Sequence, residues 1–165
     1  MRVHICAVGR LRNSPEKTLT DDYCRRFEKI GRGLALGPVH LHEVEDKKIG
    51  GRSSEAELLG RSIPNGSLIC SLDERGKLMS SPDFAALLGQ WRDQGQSDVS
   101  FIIGGADGLH SDLRAKATAS LSFGKMVWPH MMARLMLTNS CTGPHQFLPA
   151  PHITEFKHDA WTWGN

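Results

Sequence analysis

The sequence has little that would tie the protein to a membrane or to a metal ion. No hydrophobic stretch approaches the roughly 20 residues that a membrane-spanning helix needs, and the opening Met1-Arg2-Val3-His4 leads into a strand pattern rather than a signal peptide. We therefore expect a soluble cytoplasmic protein with no membrane partner. The cysteines are few and widely spaced, so they indicate buried or idle thiols rather than a zinc site or a disulfide framework. They are Cys6, Cys24, Cys70 and Cys141.

The excess of positive charge is also slight, and it does not identify a partner. The 165 residues carry a formal net charge of +2 and are 39% hydrophobic. A chain of this length and composition suits one compact domain, which we place at residues 1–165. The net charge is too small to indicate nucleic-acid binding by itself, although a local basic face can still attract a phosphate backbone.

The sequence does contain a regular alternation of strand and helix patterns. Short hydrophobic runs predict five strands, at Val3–Val8, Val39–Val44, Leu68–Leu72, Val99–Ile103 and Lys125–Trp128. Helical spacing predicts helices at Lys17–Ile30, Ser54–Ser62, Ser81–Gln94 and His110–Ala119. The alternation predicts an α/β fold with an open, mainly parallel sheet. The segment Asp46–Ser53, which is rich in glycine and basic residues, predicts a mobile basic loop.

A glycine-rich turn is the first candidate for a functional site. The buried-strand triplet Phe101-Ile102-Ile103 leads directly into Gly104-Gly105-Ala106-Asp107-Gly108. Ligands in open α/β sheets bind beyond the carboxyl ends of the strands, and glycines let the backbone approach a ligand closely. The spacing differs from the Gly-x-Gly-x-x-Gly of dinucleotide-binding proteins. Taken alone, the glycines therefore fit either a ligand-binding loop or an ordinary tight turn.

A second segment makes the pattern far more specific. Leu121 to His130 spells LSFGKMVWPH and leads into Met131-Met132-Ala133-Arg134. With this segment and the Ile103-Gly104-Gly105 turn, the sequence resembles the small SPOUT methyltransferases that modify N3 of a pseudouridine in 23S rRNA. The resemblance runs from Met1 to Thr138. Its other carriers are Val8-Gly9, the Tyr23–Phe27 run YCRRF and the Leu72–Gly76 run LDERG.

The resemblance implies a fold, a cofactor and an assembly. The fold would be an α/β sheet with a deep C-terminal trefoil knot, which is rare among proteins. The cofactor would be S-adenosyl-L-methionine (SAM), and the protein would act as a homodimer. Considered singly, the apolar side chains of the implied pocket fit ordinary core packing as well. The residues that the resemblance assigns to the cofactor are Leu72, Gly104, Gly105, Phe123, Gly124, Lys125, Met126, Val127 and Trp128.

Candidates for catalysis and RNA contact follow the same motifs. His130 and Arg134 lie one helical turn apart, just after the cofactor run, and are candidates to face the acceptor base or a phosphate. Alternatively, His130 caps the helix, and Arg134 is solvated or pairs across a dimer. Basic residues elsewhere are candidates for RNA contact, although such residues often form only a solvated surface. They are Arg10, Arg12, Arg25, Arg26, Lys47, Lys48 and Arg52.

The last part of the chain departs from the family pattern at Asn139. A helix begun at Met131 cannot run smoothly through Thr142-Gly143-Pro144. Joining the third base of each codon from Thr138 onward to the first two bases of the next permits the family ending, from Glu-Gln-Leu to Pro-Tyr-His-Arg and a stop. We therefore hypothesise a one-base deletion near codon 138, with Lys157–Asn165 translated from beyond the normal stop.

The altered ending leaves alternative functions open. It contains Cys141, His145, His152 and His158, but a misread segment gives no reason to expect a metal site there. An intact SAM pocket with a lost C-terminal helix would give a binding protein without turnover, whereas the resemblance implies an active rRNA methyltransferase. A nucleotide-binding module of ordinary doubly wound topology is a third possibility, but it would need a phosphate-gripping loop, for which the sequence gives no indication.

Overall fold

A five-stranded parallel sheet forms the centre of the protein. The computed structural model describes residues 1–45 and 51–148. The strands are β1 (Arg2–Val8), β2 (Val39–Val44), β3 (Leu68–Leu78), β4 (Asp98–Ile103) and β5 (Ala119–Ser122). Their order across the sheet is β2-β1-β4-β3-β5, and each neighbouring pair is parallel. The predicted α/β class and parallel sheet are therefore confirmed.

Helices cover both faces of this sheet. They are α1 (Pro15–Gly31), α2 (Gly51–Ser62), α3 (Ser81–Asp93), α4 (Ser111–Lys116) and α5 (His130–Thr142). Successive residues of β1 point to opposite faces, so Ile5 packs with the core of α1, α3 and α5, whereas Cys6 packs with that of α2 and α4. Residues Val3–Val8 are consequently buried on both sides. This double burial explains their nearly continuous apolar pattern.

Four predicted elements differ from the structure. The predicted strand Leu68–Leu72 is too short, since β3 continues to Leu78. The predicted strand Lys125–Trp128 is wrong, because those residues form an irregular exposed segment and the last strand is Ala119–Ser122. The predicted helix His110–Ala119 is too long, since α4 ends at Lys116 before the chain turns into β5. The predicted loop Asp46–Ser53 is wrong at its end, where α2 begins at Gly51. Residues 46–50, including Lys47 and Lys48, lie outside the described part of the chain.

Part of the chain after Thr138 packs against the body of the protein. As predicted, α5 does not continue through Gly143 and Pro144, because a short 3-10 turn takes over at Gly143–Gln146. Cys141 is buried, and Leu148 packs against the core on the α3 side. Residues 149–165 lie outside the described part. Among the described helices, none is long and apolar enough to cross a membrane.

Candidate cofactor cleft

A cleft of about 580 Å³ opens beyond the carboxyl ends of β4 and β5, beside residues Leu72–Arg75 of β3. Its two main walls are the loop Gly104–Leu109 after β4 and the segment Ser122–His130 after β5. The structure brings together here eight of the nine residues that the resemblance assigns to the cofactor, while Lys125 is exposed outside the cleft. The eight residues are Leu72, Gly104, Gly105, Phe123, Gly124, Met126, Val127 and Trp128.

The wall after β4 depends on glycine for close packing. A Cβ atom on Gly104 would lie 2.5 Å from the carbonyl carbon of Gly108 and 2.7 Å from the Leu109 nitrogen, and neither backbone atom can move aside easily. Gly108 has a φ of +75°, a conformation that favours glycine, and its N–H donates to the Gly105 carbonyl. The turn therefore folds back on itself, and its tightness alone explains Gly104 and Gly108.

A bulge in β3 supplies a third wall, which sequence reasoning did not assign to the site. The pairing with β5 jumps from Leu72 opposite Leu121 to Lys77 opposite Leu121. The residues between, of which Asp73, Glu74 and Arg75 line the cleft, therefore loop out of the ladder. A Cβ atom on Gly76 would lie 2.7 Å from the Leu121 carbonyl carbon, so glycine lets the two strands come close at the bulge. The charged run Asp73-Glu74-Arg75, which directly follows the predicted strand Leu68–Leu72, was the available signal.

Charges of both signs line the cleft. Asp73 accepts a hydrogen bond from the guanidinium of Arg114 at 3.3 Å and one from the Arg75 backbone N–H at 3.0 Å. Arg52 donates to the Leu109 carbonyl at 2.9 Å, which ties the start of α2 to the glycine loop. Glu74 and Asp107 add two further carboxylates. The cleft therefore suits a ligand that carries both positive and negative groups.

The segment after β5 presents apolar side chains to solvent. Met126 is 71% exposed and Val127 is 79% exposed, so ordinary core packing does not account for either of them. Phe123 and Leu72, by contrast, pack against the main core while they line the cleft. The hydroxyl of Ser122 accepts a hydrogen bond from the Gly124 N–H at 3.1 Å, which holds the turn between these two kinds of residue. The cleft therefore has apolar residues that pack against the core at its base, and apolar residues that are exposed to solvent at its rim.

Comparison with known proteins identifies the family to which this arrangement belongs. The model of the SPOUT methyltransferases matches residues 1–140. The chain belongs to the SPOUT methyltransferase family. A relative from Ruegeria sp. strain TM1040, named ribosomal RNA large subunit methyltransferase H, is 65% identical over 137 residues, which are 83% of this chain and 88% of the relative. A relative of the same name from Dinoroseobacter shibae is 61% identical over the same shares.

A solved structure shows the same fold at much lower sequence identity. A methylase family protein from Neisseria gonorrhoeae matches with a TM-score of 0.53 and 13% identity, over 93% of this chain and 87% of that one. At this identity the likeness concerns the fold alone. It agrees with the SPOUT membership that the sequence comparison shows.

His130 lies at the mouth of the SPOUT cleft, as the first residue of α5. It does not cap the helix, because the residue at the cap position is Pro129, which has no side-chain acceptor. Its ring rests on the backbone at the end of β1, where a Cβ atom on Gly9 would lie 2.9 Å from Nε2. Burial lowers the pKa of His130, and the nearby cation of Arg134 lowers it further. The neutral form of His130 therefore predominates at pH 7.

Arg134 lies in the interior rather than in the cleft. Its side chain is 0% exposed, so the alternative that it is solvated is wrong. One terminal nitrogen pairs with the carboxylate of Glu43, and the other donates to the carbonyls of Val8 and Gly9 at 3.2 and 3.0 Å. Burial lowers its pKa, and Glu43 opposes that effect. These contacts all lie within one chain.

The arginines proposed for RNA contact lie in two places. Arg10 and Arg12 follow β1 at the carboxyl edge of the sheet and pair with Glu45 at 3.9 and 2.9 Å. The second pair lies on α1, where Arg25 and Arg26 pair with Asp22 at 3.8 and 2.7 Å. All four are exposed. Arg52 belongs instead to the cleft.

The cysteines take no part in this site. Cys6, Cys70 and Cys141 are buried free thiols, and Cys24 is a half-buried one, as the sequence predicts for idle thiols. Burial raises the pKa of Cys70 to about 12, so this thiol is protonated at pH 7. Among the described residues, no group of His, Cys, Asp and Glu has the arrangement of a metal site. His152 and His158 of the tail lie outside that part of the chain.

Proposed function

We propose that this protein is a SAM-dependent methyltransferase that methylates N3 of a pseudouridine in the 23S rRNA of the large ribosomal subunit. The observation that carries the proposal is the cleft, which combines eight of the nine residues expected for the cofactor. The names of the relatives, which refer to methylation of large-subunit ribosomal RNA, support the substrate.

The residues of the cleft fit SAM in size and in chemistry. A volume of about 580 Å³ lies within the range of small-molecule sites. Leu72 and Phe123 provide apolar surfaces for an adenine ring, and backbone groups of the two loops can hydrogen-bond its edge. The carboxylates of Asp73 and Asp107 complement a sulfonium or an ammonium group, whereas Arg114 complements a carboxylate. Bound SAM would supply an electrophilic methyl carbon.

The chain itself would align the acceptor and help to remove its proton. N3 of a pseudouridine carries a hydrogen that has to leave as the new nitrogen–carbon bond forms. His130 offers a neutral imidazole at the mouth of the cleft, because burial lowers its pKa below the ordinary 6.5. We assign His130 as the candidate proton acceptor. Orientation of the acceptor in the cleft would supply much of the remaining rate enhancement.

The proposal also includes a homodimer and a knotted C-terminal part of the chain. The rim residues Met126, Val127 and Trp128 form an exposed apolar surface beside the cleft, as an interface in a homodimer would require. The C-terminal trefoil knot stays a prediction from the family, as does action on the large subunit or the assembled ribosome. We place the enzyme in the cytoplasm, where ribosomes are made.

A second candidate is a SAM-binding protein without turnover. The family match ends at residue 140, and α5 ends soon afterwards at Thr142. If the frame changes near codon 138, the residues that normally end the family fold are missing. Sequencing the gene tests this hypothesis directly, because an unbroken frame shared with close relatives would remove it.

The experiment is methylation of ribosomes from a strain that lacks the modification, with mass spectrometry of the 23S rRNA as the readout. This chain and a version with the frame restored are compared, and SAM affinity is measured for both by calorimetry. Methylation by this chain supports the first candidate. SAM binding by both proteins with methylation only by the restored one supports the second. Failure of both to bind SAM would refute the cofactor assignment.

A further inference from the structure

The ion pair between Glu43 and Arg134 joins three parts of the molecule that are distant in sequence. Arg134 is on the second turn of α5, and Glu43 is near the end of β2. The guanidinium also donates to the carbonyls of Val8 and Gly9, where β1 ends. A single buried side chain therefore fixes the start of α5 to the carboxyl edge of the sheet.

The same carboxylate holds the loop after β1. Oε1 of Glu43 accepts from Arg134 and also from the Leu11 backbone N–H, the latter at 2.9 Å. Leu11 is buried, and the exposed arginines Arg10 and Arg12 flank it. The position of these two candidate RNA contacts therefore depends on the same oxygen atom as the position of α5.

The pair also sets where His130 lies. His130 is four residues before Arg134, and its ring rests on Gly9, whose carbonyl accepts from Arg134. Gly9 has a φ of +84°, and its missing Cβ leaves the space that the imidazole needs. The guanidinium therefore holds the Gly9 backbone, against which the imidazole packs.

Apolar side chains of similar volume could fill this part of the interior at a lower free-energy cost than an ion pair. Replacing a buried ion pair with hydrophobic residues of similar volume is often neutral or stabilising, so burial of a charge is poor support for a purely structural role. Within the described part of the chain, Nε of Arg134 is buried without a hydrogen-bond partner, which adds to the cost of keeping arginine here.

We propose that Glu43 and Arg134 are a positioning pair, which fixes His130 and the Arg10–Arg12 loop relative to each other so that the RNA acceptor meets the bound cofactor in one orientation. This inference rests on the proposed function. It removes Arg134 from the catalytic candidates, because the guanidinium does not reach the cleft. It also assigns Glu43, to which the sequence had given no role.

The test is a double variant, Glu43→Leu with Arg134→Met, which removes both charges together and so avoids an unpaired buried charge. We expect it to unfold cooperatively and to bind SAM with an affinity within about threefold of the unmodified chain. We expect kcat for methylation of large subunits to fall about 100-fold, the size of effect that a misplacement of about 1 Å can have. The matched control is Glu57→Leu with Arg61→Met, an exposed pair on α2, which should keep its kcat.

A second readout does not need turnover. Titration of His130 by NMR should show a higher pKa in the double variant, because the cation of Arg134 is gone. Its ring signals should be broader, because Arg134 no longer holds the Gly9 backbone against which the ring packs. A folded double variant with unchanged kcat, or with an unchanged His130 titration and line width, would overturn the positioning role. If the unmodified chain and the frame-restored protein both fail to methylate RNA, the proposed function fails, and the NMR comparison still decides whether the pair positions His130.

Discussion

Gly104 shows how a single missing Cβ atom shapes the cleft. The atom would lie within 2.5–2.7 Å of the backbone of Gly108 and Leu109. Because backbone cannot rotate away as a side chain can, Gly104→Ala should open the loop and cost about 1–3 kcal/mol, as overpacking does. We expect a lower free energy of unfolding in denaturant titrations and weaker SAM binding in calorimetry.

Gly33→Ala is the control for this prediction. A Cβ atom there would meet nothing within 4 Å, and the residue lies far from the cleft in the 3-10 turn after α1. The control should keep its stability and its SAM affinity. If Gly104→Ala unfolds at the same denaturant concentration as the control, the loop is looser than the structure shows.

Asp98 at the start of β4 gives a pH-dependent prediction. It accepts from Arg2 and from His4 Nε2, each at 2.7 Å. The hydrogen bond from Arg2 is the main cause that holds the pKa of Asp98 below its ordinary 3.8, and His4 contributes further. A lowered carboxylate pKa stabilises the fold above the ordinary value, and that stabilisation is lost as the pH falls through the folded-state pKa.

Asp98→Asn should therefore cost about 1–3 kcal/mol at pH 7, the usual penalty when a buried group, here the ring of His4, loses a charged partner. The difference from the unmodified chain should shrink below pH 3.8, as the native carboxyl group is protonated. Urea titrations at several pH values measure both. A difference that stays constant down to pH 2 would contradict the ionic origin, and Glu57→Gln on an exposed pair is the control.

Single residues were predictable where one motif decides them and unpredictable where distant contacts do. The sequence predicted Gly104, Phe123 and Met126 for one site because their order resembles a family, and the structure brings them together in one cleft. It could not separate His130 from Arg134, since they lie one helical turn apart and only the fold shows that one faces the cleft and the other the interior. Glu43 was missed because its partner is 91 residues away.

Among the elements, α3 carries the clearest local signal. The Ser80 side chain accepts from the Asp83 N–H at 3.3 Å, and the Asp83 carboxylate accepts from the Ser80 N–H at 3.4 Å. This reciprocal cap satisfies two N–H groups at the start of the helix. Ser80→Ala should lower the free energy of unfolding by about 0.5–2 kcal/mol, measured by chemical denaturation.

Ser81→Ala is the matched control, because Ser81 is exposed and is the first residue of α3 rather than its cap. It should change the stability by less than the Ser80 variant does. Equal losses from the two substitutions would mean that the cap contributes nothing beyond helix propensity.

The one wrong strand has a physical explanation. Lys125–Trp128 has the apolar and aromatic residues of a strand, but Met126 and Val127 are exposed at the rim of the cleft. The actual strand Ala119–Ser122 has mostly small and polar residues, and it is defined by pairing with β3 across a bulge. The apolar residues of Lys125–Trp128 therefore belong to the exposed rim of the cleft, whereas the pairing of β5 depends on a partner strand some 50 residues away in the chain.

For the whole molecule, the alternation of elements predicted the α/β class and the parallel pairing, because βαβ crossovers require both. The strand order β2-β1-β4-β3-β5 was not predicted, since nothing in the periodicity of one strand names its neighbours. The cleft follows from that order, because it brings the bulge of β3 next to the carboxyl ends of β4 and β5, so that segments centred on residues 73, 106 and 126 meet.

The position of the basic residues relative to the edge of the sheet that holds the cleft predicts which of them bind RNA. Arg10 and Arg12 follow β1 at the edge that holds the cleft, whereas Arg25 and Arg26 lie well along α1, which runs back from that edge. Removing Arg10 and Arg12 together should weaken binding to a 23S rRNA fragment and reduce the salt slope by about 0.7–0.9 for each phosphate that the variant no longer neutralises.

The matched comparison is Arg25→Ala with Arg26→Ala, which removes the same charge and also frees one carboxylate, as Arg10→Ala with Arg12→Ala does. Net charge is then equal in the two variants, so a difference between them reports position alone. Filter binding at several salt concentrations measures affinity and slope for both. A larger slope change for the α1 pair would place the RNA along α1 instead, and equal changes would mean that the RNA responds to overall charge rather than to the edge of the sheet.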